Sequence, residues 1–261
     1  MFELYEILSN PIALGIYIAL AIGGSIYISI SRQLKRQKEL QLMADSLGFS
    51  YNDEQTEKVR QLLDSSSMLG NEMFFNVLGG TFNGTYFAIG DFNITVGSGS
   101  KKRKQYQTYV VIHSGKLASP NFCLQPECAL FRMAEGLLNR VTGSFDIDFP
   151  SHPAFSDNYF LKGSDEDAVR NFFTPRVLEY FQANHGLSVE VFNGTLVFFR
   201  LGELVKPDDI QALIDNAVEV HQVLWRRHEA RGGSNQHLDV WLLSVKLVDI
   251  FLSVKVPCLL S

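Results

Sequence analysis

The chain is poor in the residues that build disulfide frameworks, and it carries no excess of positive charge. Its 261 residues include only 3 cysteines. That small, odd number does not make a disulfide framework and fits a reducing compartment. Cys123 and Cys128 have no second Cys or His pair nearby, so their spacing does not indicate zinc. The net charge of -5 and a pI near 5.7 argue against nucleic-acid binding by the whole chain.

Motifs for phosphate binding and nucleophilic catalysis are also missing. The Gly/Ser-rich run that precedes Lys101 does not have the GxxxxGK[ST] spacing of a P-loop. His113 lies beside Ser114, but no nucleophile elbow or oxyanion-hole motif accompanies them. We therefore predict no cofactor, and the missing motifs favour a protein that is not an enzyme while leaving an enzyme open as the alternative.

Charge is absent from one long apolar run, which begins at Pro11 and ends at Ser31. A hydrocarbon core of about 30 Å requires roughly 20 apolar residues in a helix, so this run is long enough to span a membrane. Two alternatives remain open. A cleaved signal peptide would need a basic segment before the run, and here that segment is acidic. A buried core helix would show an amphipathic pattern, which is missing.

Basic residues flank the run only on its C-terminal side, and they are Arg32, Lys35, Arg36 and Lys38. The positive-inside rule then places the N-terminus outside and the rest of the chain in the cytoplasm. These cations, with Lys101, Lys102, Arg103 and Lys104, are the candidates for contact with anionic lipid or phosphate. Gly15, Ala19 and Gly23 recur at every fourth position, a pattern that can pair two membrane helices into a homodimer.

Composition divides the chain into four parts. Residues 1–31 form the predicted membrane anchor, and residues 32–69 are predicted to be a juxtamembrane helical stalk. Residues 70–232 form the predicted cytosolic domain. Residues 233–261 are an apolar tail for which an interfacial helix, a second span and a disordered end all remain open.

Two Asn-Gly pairs predict β-hairpins in the domain. Asn83-Gly84 and Asn193-Gly194 each lie between apolar runs, as in hairpins with a type I′ turn. Residues 105–114 form a further predicted strand, and the alternation over residues 145–149 predicts another. Helices are predicted over 126–141, 164–184 and 207–230, and within the second region Thr174-Pro175 is predicted to start another helix. The predicted fold is α+β, with a bent antiparallel sheet of hairpins covered by these three helices.

Asp146, Asp148 and His152 are the candidate metal ligands. Two Asp residues at i and i+2 on a strand point to the same side, and the His follows after a short loop. The alternative is a strand edge that faces solvent, next to a His in a turn held by prolines. No second cluster with ligand spacing decides between the two.

Several strings resemble a family of uncharacterised bacterial proteins that have one N-terminal membrane helix. They are Gln107-Thr108, the Phe-x-Leu-x-Pro-Glu pattern at 122–127, DIDFPSHPAFSDNYFLKGSDEDAVRNFFTP at 146–175 and VEVFNGTLVFFR at 189–200. The resemblance covers roughly residues 70–230. It implies a cytosolic α+β domain tethered to the membrane, and it carries no catalytic residues.

Two functions follow as hypotheses. The first is a non-enzymatic binding or scaffold module at the cytoplasmic face of a membrane, with the bilayer and an unidentified protein as partners and no nucleic acid. The second is a membrane-tethered hydrolase or metal-dependent enzyme that uses Asp146, Asp148 and His152.

Overall fold

A computed structural model describes residues 11–70, 72–96, 100, 102–115, 118–127 and 146–225. The apolar tail over 233–261 and most of the helix predicted over 126–141 lie outside the described residues.

Helix α1 (Pro11–Leu47) is 37 residues long and joins the apolar run to the basic segment without a break. Its N-terminal part is exposed on all sides, whereas Leu40, Met43 and Ala44 are buried against the sheet. The helix ends because Gly48 takes a left-handed conformation with φ 66° and the amide of Phe49 donates to the carbonyl of Ala44. The residues predicted as a stalk thus include a segment that packs on the domain.

Eight strands form one antiparallel sheet. Their order across the sheet is β1-β2-β3-β4-β8-β7-β5-β6. The strands are β1 (Ser50–Tyr51), β2 (Met73–Phe82), β3 (Thr85–Val96), β4 (Arg103–His113), β5 (Phe122–Pro126), β6 (Tyr159–Gly163), β7 (Leu187–Phe192) and β8 (Thr195–Arg200). The α+β prediction is confirmed, with a long apolar N-terminal helix before an antiparallel sheet.

Both predicted hairpins are present. Asn83 and Gly84 have φ values of 50° and 80° in the turn between β2 and β3, and Asn193 and Gly194 have 47° and 70° between β7 and β8. Positive φ at both central residues is the requirement of a type I′ turn. Asn and Gly adopt this conformation at low cost, so the turns fix the register of the strands that follow.

Helices cover both faces of the sheet. They are α2 (Asp53–Leu63), α3 (Pro153–Ser156), α4 (Glu166–Phe172), α5 (Pro175–Ala183) and α6 (Ile210–Trp225). Side chains from α1 and α4–α6 share one apolar cluster with the sheet, and this cluster includes Leu40, Phe173 and Leu213. Helix α2 and the loop after it cover the other face, with Val59 and Met68 in a second cluster.

Three predicted elements lie between residues 126 and 184. Pro126 is the last residue of β5 and pairs with Tyr159, and Glu127, the other described residue of the helix predicted over 126–141, is helical. The helical region predicted over 164–184 consists of α4 and α5, and the second of these begins at Thr174-Pro175 as predicted. Among the described residues of the strand predicted over 145–149, none is in a strand, although Ile147 donates to the carbonyl of Leu161.

Candidate functional site at the anchor-proximal end of the sheet

A buried ion pair attaches α1 to the middle of the sheet. The guanidinium of Arg36 donates to both carboxylate oxygens of Asp91, at 2.7 Å from Nε and 2.6 Å from Nη2. Asp91 lies on β3, and its side chain is 1% exposed, against 13% for Arg36. A bidentate pair of this kind fixes orientation as well as distance. Arg36, predicted from the sequence as a lipid-contacting cation, is therefore engaged inside the protein.

Three further groups complete this network. Thr108 on β4 donates to Asp91 and accepts from Arg36 Nη2 at 3.0 Å and from the amide of Val205 at 3.0 Å. Asn76 on β2 donates to Asp91 at 2.9 Å. Arg36 Nη1 donates to the carbonyl of Val205 at 2.6 Å. The network thus joins α1, three separate strands and the loop after β8, and it has the partners that a buried charge requires.

The residues along α1 define its direction on the sheet. Arg36 contacts Asp91, whereas Phe49, just after the helix, lies against Gly80, which pairs with Phe87. Going back along α1 from Arg36 toward the apolar run therefore follows the same direction as β3 from Asp91 toward Val96. The β3–β4 hairpin tip and the exposed part of α1 lie at the same end of the domain, which we call the anchor-proximal end.

Cations and exposed apolar side chains share this end. Lys102 is exposed, as are Arg103 and Lys104, which belong to β4 and pair with Val96 and Thr95. The predicted loop over 97–104 is therefore shorter than expected, and Lys101 lies outside the described residues. Met73 is 60% exposed, Tyr106 45% and Leu204 45%.

The basic residues on α1 differ in exposure, because Arg36 is largely buried whereas the other three face solvent. Arg32, Lys35 and Lys38 are exposed, and Lys35 lies 3.7 Å from Glu39 in a surface pair. Such a pair contributes little in water, so these cations remain accessible to a lipid surface. Gly15, Ala19 and Gly23 are exposed on the apolar part of α1, and their role in a homodimer stays a prediction.

Two of the three predicted metal ligands, Asp146 and His152, are engaged in local structure. Asp146 accepts from the amide of Leu161 at 2.9 Å. Desolvation, partly offset by this bond, raises the pKa of the Asp146 carboxyl. Asp148 is exposed, and Nδ1 of His152 lies 2.9 Å from Ser151 Oγ. Within the described ranges, no group of three His, Cys, Asp or Glu side chains is arranged to hold a metal ion.

The other candidate reactive side chains are also restrained. His113 Nδ1 lies 2.9 Å from Thr195 Oγ1, and burial lowers the pKa of the imidazole. Cys123 is buried, and desolvation raises the pKa of its thiol well above the ordinary value. A thiol kept protonated in this way is a poor nucleophile at neutral pH.

Comparison with known proteins places the chain in no established family. It matches no protein-family model and no curated protein sequence. Among solved structures it is similar to a mycobacterial trehalose monomycolate transport factor A, with 12% identity and a TM-score of 0.49. That match covers 72% of this chain and 94% of the other. At this level of similarity it carries no functional argument.

Sequence reasoning missed most of the network around Arg36. Asp91 and Arg36 are 55 positions apart, and Thr108 follows 17 positions after Asp91. The available signal was an Asp inside an apolar strand, because such a charge is rarely buried without a partner.

Proposed function

We propose that this chain is a single-pass membrane protein that holds its α+β domain against the cytoplasmic face of a membrane, where the domain is a non-enzymatic binding module. The observation that carries the proposal is the unbroken α1. It connects an apolar segment to the buried Arg36–Asp91 pair. In that segment, a stretch of 18 residues has no residue buried by the rest of the protein. An apolar helix left uncovered by its own domain is suited to lipid.

A rigid attachment has a consequence for the domain. From Arg36 back to Ser31 the helix rises about 7.5 Å, at about 1.5 Å per residue. From Asp91 to Val96 the strand advances about 16 Å, at about 3.3 Å per residue. Measured from the Arg36–Asp91 contact, the strand thus extends about 9 Å farther toward the membrane than Ser31, so the β3–β4 hairpin meets the headgroups before Ser31 reaches the edge of the hydrocarbon core. Its Lys and Arg side chains suit anionic headgroups, and Tyr106 is an amphipathic ring of the kind found at interfaces.

A binding role, rather than catalysis, is supported by the state of the candidate reactive groups. Asp146, His113 and Cys123 are held by local hydrogen bonds or by burial. The buried polar network around Arg36 and Asp91 holds α1, the sheet and the loop after β8 together. No observation favours the alternative of a hydrolase or metal-dependent enzyme.

The test is extraction and topology of the full chain in cells. We expect the protein to stay with membranes after an alkaline carbonate wash, with an intact mass that includes residues 1–31. A reporter that is active only in the cytoplasm, fused after Ser261, is expected to be active. The control variant carries Ile18→Glu and Ile22→Glu in the exposed part of α1, and we expect it to be released. Release of the parent chain, a processed N-terminus or an inactive reporter would each contradict the proposal.

A further inference from the structure

A small cavity lies on the sheet face opposite α1. It has a volume of about 250 Å³ and opens between the loop after α2 and the edge formed by β5, β6 and β7. The polar side chains in its wall include Ser67, Asn121, Lys162, Ser164 and Glu190. Ligand pockets for drug-sized molecules are about 300–1,000 Å³, so this one suits a smaller molecule.

Strand register brings a cation, a thiol and a carboxylate into one row at the floor of the cavity. Lys162 on β6 is opposite Cys123 on β5, and Cys123 is opposite Glu190 on β7. Residues directly opposite one another on paired strands point to the same face. All three side chains are buried, with Lys162 at 8% exposed and Glu190 at 3%.

Glu190 is fully occupied by the loop that follows α2. Its Oε1 accepts from the amide and the hydroxyl of Ser67 at 2.6 and 2.7 Å. Its Oε2 accepts from the Ser66 hydroxyl and from the amide of Met68. A carboxylate has about four lone-pair sites, and here four donors use them. The carboxylate has no remaining site for the ammonium group of Lys162.

The N–H groups of the Lys162 ammonium group therefore have no carboxylate partner among the described residues. Among the residues that the structure describes, no carboxylate oxygen lies within 4.0 Å of its Nζ. The largely buried side chain of Lys162 lines the cavity, so an anion bound there would supply acceptors for its ammonium group. Asn121 adds a second donor, because its Oδ1 accepts from the amide of Asn193 and this leaves the NH2 group for another partner.

We propose that this cavity binds a small soluble oxyanion, a carboxylate or phosphate group, through Lys162 and Asn121. Lys162 supplies the charge, and the Asn121 amide and the Ser164 hydroxyl supply neutral donors at the mouth of the cavity. The cavity lies toward the turn end of the sheet, with Asn121 beside the β7–β8 turn, and so away from the anchor-proximal end. The ligand is therefore a free solute and not a lipid headgroup. The choice of a free solute rests on the proposed membrane attachment of α1, whereas the binding of an oxyanion by Lys162 and Asn121 does not.

The experiment measures binding of two probes to the full chain in detergent at constant ionic strength. Inorganic phosphate is followed by its ³¹P linewidth, and acetate by its methyl ¹H linewidth. We expect saturable broadening of at least one probe. Loss of the charge in Lys162→Met is expected to weaken that binding by about tenfold or more, since hydrogen bonds to charged groups are the strong ones. The matched control is Lys206→Met, which removes an exposed lysine and should leave the broadening unchanged.

A second variant guards against loss of folding in Lys162→Met. Asn121→Asp keeps the oxygen that accepts from Asn193, removes the NH2 donor and places a negative charge at the mouth of the cavity. Because Asn121 is exposed, the fold should survive, and binding should be lost. The proposal is overturned if neither probe broadens with the parent chain, or if broadening persists in both Lys162→Met and Asn121→Asp.

Discussion

Asp91 is the residue on which the attachment of α1 to the sheet depends. Its carboxylate is 1% exposed and is neutralised by Arg36 alone among the cations of the described chain. Replacing Arg36 by Met leaves that charge buried, and breaking a buried pair from one side costs about 3–5 kcal/mol. We expect Arg36→Met to lower the free energy of unfolding by this amount, measured by chemical denaturation in detergent. Lys35→Met, one position earlier and exposed, should change it by less than about 0.5 kcal/mol. Equal effects of the two variants would refute the role of the pair.

Glu190 differs from Asp91 because its carboxylate accepts hydrogen bonds from the loop that follows α2. Its partners are Ser66, Ser67 and Met68, all of which follow α2. A Glu190→Gln variant puts an NH2 group where the carboxylate accepted, and each orphaned buried donor costs about 1–3 kcal/mol. We expect faster amide hydrogen exchange over residues 64–70 in this variant. Glu203→Gln, which alters an exposed side chain, should leave exchange there unchanged. Unaltered protection in Glu190→Gln would show that apolar packing holds the loop.

Tyr86 makes alkaline stability depend on pH. Burial raises the pKa of its phenol from 10.0 to about 12, and its hydroxyl donates to Gln55 at 2.8 Å. The unfolded chain loses this proton first, so the stabilisation is complete below pH 10 and is lost as the pH rises through 12.

The prediction concerns the difference between the parent chain and Tyr86→Phe. Below pH 10 the variant should be about 1 kcal/mol less stable, because a hydrogen bond is missing. Between pH 10 and 12 the parent chain should lose about 1.4 kcal/mol per pH unit relative to the variant, the value for one proton, so the two curves should cross and Tyr86→Phe should be the more stable near pH 12. The measurement is urea denaturation across this range, with Tyr106→Phe as an exposed control. Parallel curves would contradict the assignment.

At the scale of elements, the two Asn-Gly turns provide a matched pair of glycines. Gly84 and Gly194 both have positive φ, but a Cβ on Gly84 meets nothing within 4 Å, whereas on Gly194 it lies 2.5 Å from the carbonyl oxygen of Ser114. Alanine at either position costs about 1–2 kcal/mol for the left-handed conformation. We expect Gly194→Ala to cost at least about 1 kcal/mol more than Gly84→Ala, because the backbone of Ser114 must also move. Thermal unfolding of the two variants is the measurement, and similar losses would argue against the close contact.

The same turns indicate what the sequence can predict. Asn83-Gly84 and Asn193-Gly194 determine their hairpins through the conformation of two adjacent residues, so each signal is local and was read correctly. Pro126 was predicted as the first residue of a helix, whereas it ends β5 and the helical residue Glu127 follows it, because a proline can take either place and only its pairing with Tyr159 shows that it belongs to the strand. The Arg36–Asp91 pair and the Lys162–Cys123–Glu190 row join segments that are far apart in the sequence. No local sequence pattern predicts that these residues come into contact.

The strings that suggested a bacterial family are explained mainly by structure. Gln107 accepts from the amide of Gly202, and Thr108 belongs to the Arg36 network. In the 146–175 string, Ser156 accepts from the amide of Phe149, whose ring packs edge-on against Phe155 at 5.7 Å. These side chains hold the fold together, so their presence does not by itself indicate chemistry.

At the scale of the whole molecule, the unbroken α1 determines how the domain would stand relative to a membrane that its apolar segment spans. If the apolar segment spans the bilayer, Tyr106 lies near the headgroups and Phe82, beside the β2–β3 turn, lies at the opposite end of the sheet. A tryptophan added at one of these two positions, by Tyr106→Trp or by Phe82→Trp, reports by its fluorescence how close that end of the sheet lies to the lipid. The experiment uses the full chain in vesicles that contain brominated and anionic lipids, with the signal of the parent chain subtracted.

We expect stronger quenching of Tyr106→Trp than of Phe82→Trp. Each cation near an anionic surface contributes about 1 kcal/mol, so changing Lys102, Arg103 and Lys104 together to Glu should weaken the quenching at position 106. Salt or purely zwitterionic lipid should act in the same direction, because screening removes the attraction. Arg36 is left intact in every variant, so the attachment of α1 is preserved. Equal quenching at both ends would mean that the domain does not stand with its basic hairpin against the bilayer, even if α1 is inserted.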